Sequence, residues 1–124
     1  MSANSLRPLV VKVVAGIDEP ERCAQAFNVA AIAAASGSPV SVWLAGEAAW
    51  LALPGRASQF SLPHAAPLED LLAAIIETGS VTLCSQCAQR RSIAPEDILP
   101  GIRIAGAASY VEEILATDAQ ALVY

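Results

Sequence analysis

Charged side chains make up only 15% of the 124 residues, against about a quarter in an average soluble domain. Positive charge is the scarcest: 7 Lys and Arg face 12 Asp and Glu, for a net charge of −5. Only Arg90 and Arg91 are adjacent. The basic face that would neutralise a row of phosphates is missing, so nucleic acid is not an expected partner. Long hydrophobic runs are also absent. The longest, PVSVWLAGEAAWLALP, is broken by Gly46 and Glu47, short of the ~18 apolar residues that a membrane span needs. The opening MSANSLRP leads into LVVKVVAG, where Lys12 interrupts a run too short for a signal-peptide core. No targeting segment is read there, no membrane partner is expected, and the expected location is cytoplasmic.

Metal ligands are few as well. Three cysteines and the single histidine, His64, make no second closely spaced pair, and a structural zinc site needs four ligands. No metal is expected. Gly16 stands alone after the first apolar run, without the spacing of a phosphate or dinucleotide loop, and no cofactor is expected. The odd cysteine count argues against an extracellular disulfide framework and for thiols in a reducing compartment.

What the chain has in quantity is apolar surface. Hydrophobic residues are 55% of the total, which favours subunit interfaces that cover what a monomer would expose. A length of 124 residues suits one domain, read as 1–124. Within it, β-branched segments alternate with alanine-rich ones. Strands are predicted at 9–15, 40–45, 81–84, 102–105 and 121–124. Helices are predicted from Asp18 to Ser36, from Pro67 to Thr78, from Ser85 to Arg91 and from Ala107 to Thr117, with short turns at 47–53 and 95–98. Asp18 with Glu21, and Ser109 with Glu112, have capping-box spacing. Leu68, Leu71, Leu72 and Ile75 form the buried stripe of the second helix. The segment 54–67, with three prolines and His64, reads as a long loop. This order implies a single three-layer α/β domain: about five mostly parallel strands with helices on both faces.

In such sheets ligands gather at the carboxyl ends of the strands, and Cys84 lies at one of those ends. A helix starting at Ser85 would bring positive dipole charge to its sulfur and favour the thiolate. Cys87, one turn on, shares that field, and Arg90 and Arg91 add positive charge. His64 and Glu47 are candidate lining residues if their loops fold over the third strand's end, His64 as a base for the thiol. Each also has a plainer reading: His64 as a solvated loop residue, Glu47 as a surface carboxylate, Trp43 and Trp50 as core or interface residues. Cys23 is read as a small core residue. For the Cys84 and Cys87 pair, a nucleophile, a dithiol redox centre and packing residues all stay open.

The run VTLCSQCAQRRSI, from Val81 to Ile93, resembles the strand-cysteine-helix segment of the DsrE/DsrF-like proteins. The closing stretch ILPGIRIAGAASYVEEILATDAQALVY is similar to that family's last loop, strand, helix and strand. The resemblance implies a compact α/β domain assembled into homo-oligomers, trimers or hexamers. It also implies a strand-end cysteine, by position Cys84, that accepts sulfane sulfur as a persulfide and passes it between donor and acceptor proteins, in the manner of a sulfurtransferase-like carrier. Two residues depart from the pattern: Cys87, where relay members tend to have alanine, and Ser92, where glycine is common. The extra cysteine opens a route in which Cys87 resolves the persulfide and releases sulfide.

Overall fold

The computed structural model of the protein describes residues 6–124. Five strands form one sheet: β1 (Leu9–Val13), β2 (Val40–Leu44), β3 (Ser80–Cys84), β4 (Ile102–Ala105) and β5 (Gln120–Val123). Their order across the sheet is β4-β3-β2-β1-β5, and all four pairings are parallel. Every strand therefore ends at the same edge. The expected α/β architecture holds, with the parallel sheet complete.

Four α-helices connect the strands: α1 (Pro20–Ala35), α2 (Leu68–Thr78), α3 (Ser85–Arg90) and α4 (Ala107–Ile114). α1 and α2 pack side by side on one face. Alternate residues of a strand point to opposite faces, and Val11, Val13, Val42, Leu44, Val81 and Leu83 all point into this layer, where each is buried. Alanines at 26 and 30, both fully buried, let α1 lie close to the strands. α4 runs from β4 at one edge to β5 at the other and covers the second face by itself. Its eight residues include no fully buried one, so that face is thinly clothed.

Local signals decided the elements better than their ends. The paired Asp18 and Glu21 do not cap α1. Pro20 occupies its first turn, Glu19 is its N-cap without a side-chain bond, and Asp18 Oδ1 instead accepts the Gly16 N–H at 2.8 Å. Ser109 lies inside α4, whose N-cap is Gly106, and the helix ends at Ile114 rather than at Thr117. α2 buries Leu68, Leu72 and Ile75, whereas Leu71 is only half-buried. The segment 46–52 folds as a 3-10 helix, Gly46–Ala52, and the long loop contains a short one at Ala57–Gln59. Trp43 is a core residue, 2% exposed, and Trp50 is half-buried.

Candidate functional site

β3 delivers Cys84 to the strand-end edge of the sheet. Ser80, Thr82 and Cys84 alternate with Val81 and Leu83, so Cys84 belongs to the thinly covered α4 face. It is half-buried, while Cys87 is 8% exposed. The helix begins immediately at Ser85, with Cys84 as N-cap in extended conformation. This sharp passage from strand to helix turns the first N–H groups of α3 back toward the Cys84 sulfur. Burial, the largest single influence, pushes the Cys84 thiol up. The N–H and thiol of Cys87, the N–H of Gln86 and the charge of Lys12 together outweigh it and hold the group below its ordinary value.

Cys87 is itself held. The Gly46 N–H donates to its sulfur at 3.3 Å, which leaves the Cys87 thiol proton directed at Cys84. Gly46 can occupy this place because its φ is +51°, and a Cβ there would meet the Val14 carbonyl at 2.8 Å. The chain Gly46 N–H, Cys87 thiol, Cys84 sulfur is a short relay of donors that ends on the group to be ionised. All three cysteines are free. Cys23, on the buried side of α1, is fully buried, and burial, followed by the nearby Asp18 charge, pushes its thiol up to about 12. It is the inert core residue expected.

The remaining candidates divide. Arg91 and Glu47 meet: Arg91 Nη2 lies 2.7 Å from Glu47 Oε2, and Nη1 donates to the Cys87 carbonyl at 3.2 Å. The Arg91 guanidinium also lies 6.0 Å from the centre of the Trp50 ring. These contacts bolt the end of α3 to the 3-10 segment that carries Gly46. Arg90 is exposed at the end of the same helix. His64 lies on the other helical layer, lining a 210 Å³ cavity with Glu21, Gln25 and Asn28 of α1 and Leu71 of α2. The long loop thus folds onto α1 and α2. Among the described residues, no group of three or more His, Cys, Asp or Glu side chains is placed to hold a metal ion.

Lys12 is a neighbour of Cys84 that spacing along the sequence did not single out. It is in register with Trp43, which pairs with Thr82, which pairs with Arg103. All four side chains therefore share the α4 face with Cys84. The available signal was a single ionisable residue in an otherwise apolar buried strand, LVVKV. Beside it, Glu113 of α4 collects three donors: Ser41 Oγ at 2.5 Å, Trp43 Nε1 at 3.1 Å and Arg103 Nη2 at 2.5 Å. Arg103 Nε donates in turn to Thr82 Oγ1 at 2.6 Å. Tyr110, one turn before Glu113, meets the Trp43 ring edge-on at 5.4 Å.

Similar folds occur in two solved structures. The ychN protein from E. coli superposes with a TM-score of 0.78 at 16% identity, over 96% of this chain and 99% of that one. MTH1491 from Methanobacterium thermoautotrophicum, described as a protein of unknown function, gives 0.66 at 8% identity, over 97% and 100%. Among curated proteins, no sequence matches. No helix among the described residues is long and apolar enough to cross a membrane. The family model described as "DsrE/DsrF-like family" matches residues 9–120, nearly the whole of the sheet and its connections, and the chain belongs to that family.

Proposed function

We propose that the protein handles sulfane sulfur through Cys84. The observation that carries this reading is the half-buried sulfur at the end of β3, toward which two backbone N–H groups and the Cys87 thiol are directed, contacts that favour its thiolate form. A thiolate is the nucleophile of sulfur exchange. Cys84 attacks the outer sulfur of a donor persulfide, the donor's S–S bond breaks, and the donor leaves as a thiol. Cys84 then carries the persulfide. An acceptor thiolate takes the outer sulfur and returns Cys84 to its starting state. Where no acceptor is present, Cys87 attacks the inner sulfur: hydrogen sulfide leaves and a Cys84–Cys87 disulfide forms. Both branches balance without an added oxidant, and the second needs a dithiol reductant to close the cycle.

Incubating reduced protein with a small persulfide and measuring intact mass tests the first step. The expected adduct is one sulfur atom, lost in Cys84→Ser. Equal labelling of that variant would remove the assignment. In Cys87→Ser the adduct is expected to form and to persist, with sulfide release lost.

A second reading rests on another observation. Ile17, Val111, Leu115 and Val123 are exposed, Leu115 at 75%, and Val111 of α4 and Leu115, its C-cap, lie over the thinly covered face. This supports an assembly of identical subunits, for which the family resemblance implies a trimer or hexamer, with the fold serving as an interaction module. Thiols that stay unreactive until denaturant is added, in a protein that sediments as an oligomer, would favour that reading over sulfur transfer.

A further inference from the structure

Lys12 is the only lysine in the sequence, and it stands on a strand whose other residues are apolar. Its stem is half-buried between Trp43, in register beside it, and α4, and its Nζ lies 4.9 Å from the centre of the Tyr110 ring. Among the described residues no carboxylate pairs with it: the ion pairs are Arg22 with Glu19, Arg91 with Glu47 and Arg103 with Glu113. The other cation of this face, Arg103, is committed to Glu113 and Thr82. Packing alone would favour an apolar side chain at such a place, since a partly buried cation without a counter-ion is costly. Two residues beyond Thr82, on the same face, lies the Cys84 sulfur.

We propose that Lys12 is a positioning residue for Cys84: its ammonium, steadied over the Tyr110 ring, faces the sulfur across the sheet and selects an electrophilic sulfur donor that carries negative charge at its leaving group. A persulfide protonated on its outer sulfur and borne on a thiol that carries a carboxylate has that character. When the thiolate of Cys84 takes its outer sulfur, the electron pair of the broken S–S bond goes to the departing thiolate, and the nearby ammonium offsets charge on both sides of the exchange. This rests on the sulfur-handling reading and adds to it a preference among donors. The groups set against Cys84 are Cys87 and the Gln86 N–H from α3 and the Lys12 charge from β1; Arg103 from β4 and Tyr110 and Glu113 from α4 cluster around Trp43 and Lys12 on the same face. Arg103 and Glu113 cancel each other. Burial, followed by the Glu113 charge, pushes the Tyr110 hydroxyl up, so it stays neutral. Lys12 is the uncompensated charge of the set.

Two alkylating probes of like size, iodoacetate and iodoacetamide, separate the charge effect from simple thiol reactivity. Cys84 carboxymethylation and carbamidomethylation are followed by peptide mass in the wild type, Lys12→Met and Lys12→Arg, across the neutral and alkaline range. In Lys12→Met the profile is expected to move to higher pH, and the iodoacetate-to-iodoacetamide rate ratio to fall about threefold, the order expected of one nearby charge in a half-exposed site. Lys12→Arg is expected to restore both. In the wild type, added salt should lower the same ratio, a measurement that needs no variant. An unchanged profile and ratio in folded Lys12→Met, or a wild-type ratio indifferent to salt, would overturn the role of Lys12 and leave the reactivity of Cys84 standing. A wild-type Cys84 that alkylates only after unfolding would overturn the sulfur-handling reading and this inference with it.

Discussion

Replacing Glu113 by alanine removes one acceptor from three donors at once, and the cost follows from how each donor is situated. The Trp43 indole N–H belongs to a residue 2% exposed. Left without a partner, a buried donor costs about 1–3 kcal/mol. The Ser41 hydroxyl rotates to another acceptor and forfeits about 0.5–1 kcal/mol. Arg103 is half-exposed and keeps Thr82, so its ion pair contributes about 0.5 kcal/mol. The sum is about 3 kcal/mol, a large fraction of the 5–15 kcal/mol that stabilises a domain. It corresponds to a fall in Tm of about 10 °C at this chain length. Thermal and urea unfolding at fixed protein concentration, read by circular dichroism, measures it. Glu113→Gln retains an oxygen acceptor and should lose about half as much. If Glu113→Ala unfolds within about 0.5 kcal/mol of the wild type, these donors find other partners and α4 is not held to the sheet by this carboxylate.

Two further outcomes are expected. Ser92, after α3, has a φ of +54°, a left-handed conformation that costs a side-chain-bearing residue about 1 kcal/mol; Ser92→Gly should raise the unfolding free energy by about 0.5–1 kcal/mol, and a destabilised variant would show that the serine compensates for its backbone. Cys23 titrates near 12 when folded, so an unfolded chain ionises there first as pH rises. Stability should be unaffected by this group below pH ~9 and decline above it by about 1 kcal/mol per unit, and urea titrations of Cys23→Ala should show a shallower alkaline decline; equal slopes would refute the buried, un-ionised thiol.

The fold was largely legible because its signals are redundant. A run such as LVVKV, apolar at every position but Lys12, suits an interior parallel strand better than an edge with one wet face. Helix ends were less legible: Asp18 has the right spacing for a cap, yet its carboxylate turns to the Gly16 N–H, a choice that depends on where Pro20 lets the helix begin. The centre of the candidate site, Cys84 beside Cys87, could be read from a strand running into a helix. Its surroundings could not, because they come from other strands. Spacing along one segment cannot show that Lys12, seventy-two positions before Cys84, shares a sheet face with it. Nor can it show that Arg91 is engaged by Glu47, or that His64 lies against α1.

The placement of β5 bears on how the chain reaches this structure. β1, β2, β3 and β4 join in the order of synthesis, each to its predecessor, but the outer edge of β1 is completed by residues 120–123. Until those residues have left the ribosome, the first strand presents unpaired backbone groups beside an apolar surface. Closing so long a loop is slow compared with forming the neighbouring crossovers. A chain that paired its first four strands before β5 was available would hold an open edge at β1, the place where a chaperone, or a second copy, would meet it.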